Sequence, residues 1–383
     1  MENLKKICST GEFQVFVKPA GAECNLACDY CYYLPKRNLR ADGEDYIMSD
    51  DLLERYIISH FNAADSGTVT FSWHGGEPLL AGIGFYRKVV GLQKKHKPEG
   101  SVVLNGIQTN GTLIDEEWCK FLASEKFIVG LSLDGPEKLH NSFRKNRDGL
   151  PSFNRAVNGF RLLKKYGIIP EILCVVNSEN VMQPVTVYNS FKRLGAKFIT
   201  FLPLVERSPE MPKGVSLRSV QPEAFGIFLS KVFDEWVEKD IGKIKIQVFE
   251  EAARTAFRQH HTLCIFKKEC GGVPVIEHNG DFYSCDHFVD ADHRIGNVRS
   301  MTVREMLGSR KQLKFGTAKL NTLPRYCIYC DVREMCNGEC PKNRFSVTPD
   351  GEPGLNYLCE GYKYFFSHCK PFIEAISQVW KNQ

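Results

Sequence analysis

The sequence holds no apolar stretch long enough to cross a bilayer. Its longer runs, such as Phe127–Leu133, stop far short of the roughly 18 residues that a spanning helix needs. The opening, MENLKKICSTGEFQVFVKP, carries Glu2 and Glu12 and lacks the apolar core of about 7 to 15 residues that marks a secretory leader. Nor is there a block of about five or six like charges: 50 Lys and Arg against 45 Asp and Glu leave +5 over 383 residues, too little and too dispersed for a nucleic-acid partner. Low-complexity tracts are absent. With 43% hydrophobic and 25% charged residues, collagen-like, coiled-coil and disordered chains are excluded as well. A cytoplasmic protein without membrane or nucleic-acid partners is expected. What the chain has in quantity is cysteine, 15 in all. In a reducing compartment thiols hold metal more often than they form disulfides, and an odd number fits a disulfide framework badly.

Two-thirds of the chain alternates β-branched runs with amphipathic helical patterns. Strands are expected at Gln14–Val17, Val69–Trp73, Val102–Gln108, Phe127–Leu133, Ile169–Val176 and Lys197–Leu202. Helices are expected at Asp50–Asn62, Phe85–Lys95, Asp115–Lys126, Phe153–Tyr166, Val181–Leu194 and Pro222–Lys239. Six such units fit an incomplete (β/α) barrel or an open doubly wound sheet. Near residue 260 the alternation stops and Cys, Gly and Asn become dense, so a first domain over 10–240 and a second over 241–383 are expected. In the second, Val273–Glu277 and Phe282–Ser284 flank His278-Asn279-Gly280-Asp281, and Asn-Gly signals a two-residue hairpin loop. Gly361–Val379 reads as a closing helix, and Glu206–Ser219 as a loose loop.

The chemistry begins at Cys24-Asn-Leu-Ala-Cys28-Asp-Tyr-Cys31, directly after the first strand. Three thiolates can wrap a 4Fe-4S cluster and leave one iron without a protein ligand. Zinc is the competing reading and needs a fourth ligand, for which His60 and His74 are candidates by composition only. Loops after parallel strands are also where α/β barrels place reactive groups. The C-terminal third adds Cys264-x5-Cys270-x14-Cys285, Cys327-x2-Cys330-x5-Cys336-x3-Cys340 and Cys359. Eight thiolates suffice for two four-Cys sites, of iron–sulfur or zinc. Of the remaining cysteines, Cys119 in EEWCKFL and Cys174 in ILCVV read as core residues, while Cys8 and Cys369 have no assigned role.

The CxxxCxxC run, with Tyr30 before its last Cys, resembles the signature of the radical S-adenosylmethionine superfamily, and Trp73-His74-Gly75-Gly76-Glu77-Pro78 resembles that family's GGEP motif. The resemblance implies a partial (β/α)6 barrel whose Cys24, Cys28 and Cys31 hold a cluster with S-adenosylmethionine on its open iron. It further implies cofactor contacts from Gly75, Gly76, Glu77, Ser132 and Arg144, and a reacting centre faced by Gln108 and Asn110. The later cysteines resemble a SPASM domain, a small Cys-rich α+β module with a β-hairpin. In that likeness Cys264, Cys270, Cys285 and Cys340 hold one auxiliary 4Fe-4S cluster, and Cys327, Cys330, Cys336 and Cys359 the other.

Within that group, VKPxGxxCNLxCxYCYYL, WHGGEPLL, QTNGTLID, GLSLDGP, HNGDFYSCDHFV and the following IGN are most similar to the anaerobic sulfatase-maturating enzymes. This resemblance implies oxidation of a Cys or Ser in a Cys/Ser-x-Pro-x-Arg sequence of an unfolded or nascent sulfatase to formylglycine, with an electron donor such as flavodoxin or ferredoxin. It implies that Asp286 is the base and that Tyr33 lines the peptide site; His287 is the runner-up base only because an imidazole ordinarily titrates near neutrality, and the family pattern does not support it. A local role for Asp286, ending the hairpin or pairing with Arg294, competes with catalysis. The alternative enzyme reading is another SPASM peptide-modifying chemistry, a cross-link or thioether.

Overall fold

The computed structural model describes residues 13–39, 45–65, 67–212 and 214–381. The principal strands among the described residues are β1 (Phe16–Val17), β2 (Thr68–Trp73), β3 (Val102–Thr109), β4 (Ile128–Ser132), β5 (Glu171–Val176), β6 (Phe198–Pro203), β7 (Lys245–Ile246), β8 (Val275–Ile276), β9 (Asp281–Tyr283) and β10 (Arg294–Asn297). The chain divides into two compact units that interleave along the sequence. One gathers the described residues up to Ser132 with Arg144–Pro170 and Gly271–Gly316; the other holds Leu133–Phe143, Glu171–Cys270 and the residues from Thr317 onward.

In the first unit β1, β2, β3 and β4 lie side by side, parallel and in chain order. Long crossovers make this possible, since parallel neighbours cannot be joined by a tight turn. The first crossover helix, Asp50–Ala63, starts where Ser49 accepts from the Leu52 N–H, with Asp50 and Asp51 in its positive first turn. Its inner face sets Tyr56 and His60 against Phe71 of β2, with His60 and Phe71 ring centroids 4.5 Å apart. His60 is therefore a core residue and not a metal ligand. One ring nitrogen lies 3.1 Å from the Tyr56 hydroxyl, the other 3.1 Å from the Thr70 carbonyl. Burial lowers its pKa to about 4, with the Thr70 contact opposing the shift.

The outer flank of β1 carries a segment from much later in the chain. β8 pairs parallel with β1, matching Phe16 to Val275 and Val17 to Ile276, and β9 and β10 continue antiparallel beyond it. The expected hairpin is present with a longer turn. Glu277 N–H bonds to the Asp281 carbonyl, enclosing His278-Asn279-Gly280, with Gly280 at φ +89°. Gly280 supplies the left-handed residue that a three-residue loop requires, so Asn-Gly marked the turn but not its length.

In the second unit β5, β6 and β7 are likewise parallel and in chain order. Ile172, Cys174 and Val176 alternate inward from β5, all fully buried. Cys119, in the first unit, and Cys369 are also core residues, whereas Cys8 lies outside the described residues. The helices Pro222–Lys239 and Cys359–Lys381 approach through glycine. A Cβ on Gly361 would stand 2.0 Å from the Pro222 carbonyl oxygen, and one on Gly226 would stand 2.6 Å from the Gly361 oxygen. The segment read as a loose loop is instead tied: Arg218 pairs with Glu206 at 2.9 Å, Ser216 N–H bonds to the Glu206 carbonyl, and Ser219 is fully buried. Its polar composition concealed bonds that it makes with itself.

Two outcomes follow. Gly361→Val forces the helices apart at the turn carrying Cys359, at an overpacking cost of about 1–3 kcal/mol. Iron content and thermal midpoint should both fall, and wild-type values for both would contradict this packing. His60 binds its proton less readily folded than unfolded, so acid favours unfolding as pH falls from about 6.5 toward 4, at up to about 1.4 kcal/mol per pH unit. His60→Gln should flatten that acid limb in thermal unfolding series, and an unchanged slope would refute the assignment.

Candidate active site and cluster cradles

Beyond β1 the chain turns tightly, Gly21 N–H bonding to the Lys18 carbonyl and Glu23 N–H to that of Ala20, and delivers Cys24. The Gly-Gly-Glu segment after β2 packs on this turn. Gly76 and Glu77 N–H bond to the Gly21 and Glu23 carbonyls at 3.0 and 2.7 Å. A Cβ at Gly76 would meet the Glu23 oxygen at 2.1 Å, and Gly75 takes φ +143°. Both glycines are thus required by the approach of protein backbone. Glu77 is fully buried, and its carboxylate accepts from Leu79 N–H, Thr109 Oγ1 and Asn110 N–H. Burial pushes its pKa up to about 7 against those three donors.

Cys24 is buried, while Cys28 and Cys31 are partly open. Leu26 N–H reaches the Cys24 sulfur at 3.3 Å and Asn110 Nδ2 at 3.8 Å, donors of the kind that support a thiolate. Burial, then the Glu77 charge, pushes the Cys24 thiol up to about 12. Bound iron would reverse that balance, since a coordinating thiol is deprotonated outright. Asn110 also bonds Asn25 Oδ1 at 2.9 Å, and Gln108 bonds Ser132 Oγ at 3.3 Å. Arg144 is buried with its guanidinium 5.4 Å from the Tyr30 ring centre. Arg147, which sequence reasoning passed over, secures the loop by donating to the Cys24 carbonyl at 2.7 Å and to Glu23 at 2.9 Å.

The β8–β9 hairpin brings Cys285 and Asp286 to this same unit. Asp286 is buried and pairs through Oδ1 with Lys18 Nζ at 2.5 Å, while Oδ2 accepts from the Tyr32 hydroxyl. Burial raises the Asp286 pKa, but the Lys18 ammonium beside it outweighs burial and holds the carboxyl well below the usual range. Arg294, the competing partner, pairs instead with Asp281 at 2.5 Å. His74 is no metal ligand: its Nδ1 faces Lys18 Nζ at 3.2 Å, and its ring stacks on Phe16. Burial and then Lys18 lower its pKa to about 3, leaving it neutral. The Tyr33 hydroxyl donates to Glu277, and Lys18 Nζ lies 4.1 Å from the Tyr33 ring centre. His287 packs against the Tyr32 ring at 4.9 Å. Lys18, Tyr32 and Glu277 were missed, although a Lys ending the apolar strand QVFVK is itself a signal.

In the second unit, Cys327, Cys330, Cys336 and Cys359 line a single cavity with Tyr362 and Lys363. Burial pushes the Cys359 thiol up to about 12 and the Cys336 thiol higher. Among the described residues no three such side chains converge tightly enough to grip one ion. Four soft ligands around a cavity suit a wider iron–sulfur cluster. Cys264, Cys270 and Cys340 also belong to this unit, with the buried Lys319 donating to the Cys264 and Ile265 carbonyls at 3.0 and 2.7 Å. Cys285 belongs to the first unit.

Residues 20–187 match the radical SAM superfamily and residues 264–331 the SPASM iron-sulfur cluster-binding domain. The chain is 45% identical to the serine-type anaerobic sulfatase-maturating enzyme of Bacteroides thetaiotaomicron, over 96% of this chain and 92% of that one. It is 36% identical to the cysteine-type enzyme of Clostridium perfringens, over 95% and 98%. The solved structure of native anSMEcpe with bound AdoMet, 35% identical, superposes with a TM-score of 0.87 over 95% of this chain and 99% of that one. With a three-thiol loop, a buried Asp beside a further cysteine and a four-thiol cavity, the chain belongs to the anaerobic sulfatase-maturating enzymes of the radical SAM superfamily.

Proposed function

We propose that this protein oxidises Cβ of a Cys or Ser, within a Cys/Ser-x-Pro-x-Arg sequence of an unfolded or nascent sulfatase, to the aldehyde of formylglycine, with Asp286 as the base. The single observation carrying this reading is a buried carboxylate held ionised by Lys18, one residue from Cys285. Cys24, Cys28 and Cys31 would hold a cluster that, with S-adenosylmethionine, would supply hydrogen-atom abstraction, and the auxiliary clusters would supply a one-electron acceptor.

The protein's own residues supply the rest. Reaching the aldehyde level removes two electrons and two protons. One hydrogen leaves Cβ as an atom, and the thiol or hydroxyl proton passes to Asp286 as the second electron departs. Loss of the Cβ hydrogen makes the neighbouring S–H or O–H far more acidic, so an ionised carboxylate in reach suffices even though Lys18 keeps its basicity low. From Cys the product is first a thioaldehyde, which water converts to the aldehyde with loss of hydrogen sulfide.

Gly75, Gly76, Glu77, Ser132 and Arg144 form the proposed cofactor cradle. Glu77 gives it rigidity through its three internal donors, and Arg144 through its seat over Tyr30. Tyr33, Gln108 and Asn110 are the proposed peptide-side residues. A reducing donor such as flavodoxin or ferredoxin supplies the initiating electron, and the reaction takes place in the cytoplasm. Among the described residues no helix is long and apolar enough to cross a membrane.

Asp286→Asn should lower formylglycine yield about 10²-fold or more, the usual scale of a general base, with 5′-deoxyadenosine still released. Mass spectrometry of peptide and nucleoside checks both, and wild-type formylglycine from this variant would contradict the base assignment.

A further inference from the structure

The two oxygens of Asp286 are held in different ways. Oδ1 faces Lys18, which is fully buried, and whose backbone N–H is locked in the parallel ladder to Ile276 at 2.8 Å. The ammonium is hemmed in further by His74 Nδ1 at 3.2 Å and the Tyr33 ring at 4.1 Å. Because Lys18 only donates, His74 Nδ1 accepts, so no second positive charge competes for Asp286 there. Oδ2 instead meets the Tyr32 hydroxyl, which is buried at the carboxylate although the residue as a whole is 44% exposed, and whose ring rests against His287. One partner is immovable. The other belongs to a residue that reaches the surface.

We propose that Lys18 is the positioning residue of the oxidation: it pins Oδ1 of Asp286, so that Oδ2 is the oxygen that meets the substrate thiol or hydroxyl, and Tyr32 occupies Oδ2 until the substrate displaces it. This rests on the reading of Asp286 as base. A carboxylate fixed at one oxygen cannot rotate about its Cβ–Cγ bond, so the lone pairs of the other keep a constant direction, which is what proton transfer at hydrogen-bond range requires. The phenol is a fitting occupant because, like the substrate group, it presents one hydroxyl donor to one carboxylate oxygen. Without such a donor a buried oxygen would stand unpaired between turnovers.

The test uses the iron-loaded enzyme, anaerobic, with S-adenosylmethionine, a reductant and a Cys-x-Pro-x-Arg or Ser-x-Pro-x-Arg peptide. Iron content, 5′-deoxyadenosine and formylglycine are measured separately. Lys18→Met should keep iron and nucleoside release while formylglycine per 5′-deoxyadenosine falls at least about tenfold, the scale expected when a reacting group is misaimed. Lys18→Arg should restore part of that ratio, because a cation again reaches Oδ1. Tyr32→Phe should lower the peptide KM without lowering kcat, since the substrate no longer competes with a phenol.

Full coupling in Lys18→Met would overturn the proposal, as would a Tyr32→Phe variant with unchanged or raised KM or with lost kcat. Should Lys18→Met fail to take up iron, the Tyr32→Phe result decides alone. Asp286→Asn run beside them separates the two readings. If it loses formylglycine while Lys18→Met stays coupled, only this proposal fails; if Asp286→Asn itself stays coupled, the base reading fails with it.

Discussion

Two residue pairs of parallel strand, Phe16 with Val275 and Val17 with Ile276, set the geometry on which the site depends. They seat the hairpin of the cysteine-rich segment on the open flank of β1. Val17 and Ile276 each lead into the chemistry: Lys18 at once and then the Cys24 loop on one side, Glu277 at once and then Cys285 and Asp286 on the other. Short ladders are weak alone. This one is reinforced by backbone bonds on both sides of it, from Gln14 to Gly272 and from Lys18 to Ile276, and by the burial of Val17, Val275 and Ile276.

The charges gathered there obey one rule. Lys18, Asp286 and Glu77 are all buried, and each is matched by an opposite charge or by several donors. Removing one member of such a pair leaves an uncompensated charge, which is why a buried pair can be indispensable without adding much stability. His74 and Tyr33 complete the enclosure of the ammonium without adding charge. The result is a carboxylate that stays ionised in a place where burial alone would protonate it. The thiols show the complementary case: burial pushes Cys24 and Cys359 up, and coordination to a metal would displace their protons. Folding and cluster assembly are coupled wherever that holds.

Much of this was legible in the chain. The helix Pro222–Lys239 carries Pro at its start and an apolar periodicity, and the observed bounds agree with the expected ones. The six strands were placed by β-branched runs, and the Cys24 loop and the Gly-Gly-Glu turn by their residue types. Two-residue strands such as β7 have no periodicity to read, so Lys245–Ile246 was missed together with the helix Gln247–Ala256 after it. The helix Val303–Leu307 was missed despite a readable signal, the Thr302-x-x-Glu305 capping box. Pairings between distant segments leave no local trace. That is why Lys18 was quoted within a motif but not understood, and why Arg294 stood as the rival partner of Asp286. The close approach of the Glu23 carbonyl, which only a glycine at 76 admits, is another such pairing between distant segments.

The central claim is that this scaffold directs a radical at Cβ of a sulfatase Cys or Ser and completes a two-electron oxidation. The most direct measurement is anaerobic incubation of the iron-loaded protein with S-adenosylmethionine, a reductant and paired Cys-x-Pro-x-Arg and Ser-x-Pro-x-Arg peptides, read by mass spectrometry. The account predicts formylglycine from at least one peptide, with 5′-deoxyadenosine released alongside it. Release of 5′-deoxyadenosine with both peptides unmodified, from protein shown to carry its clusters, would contradict it.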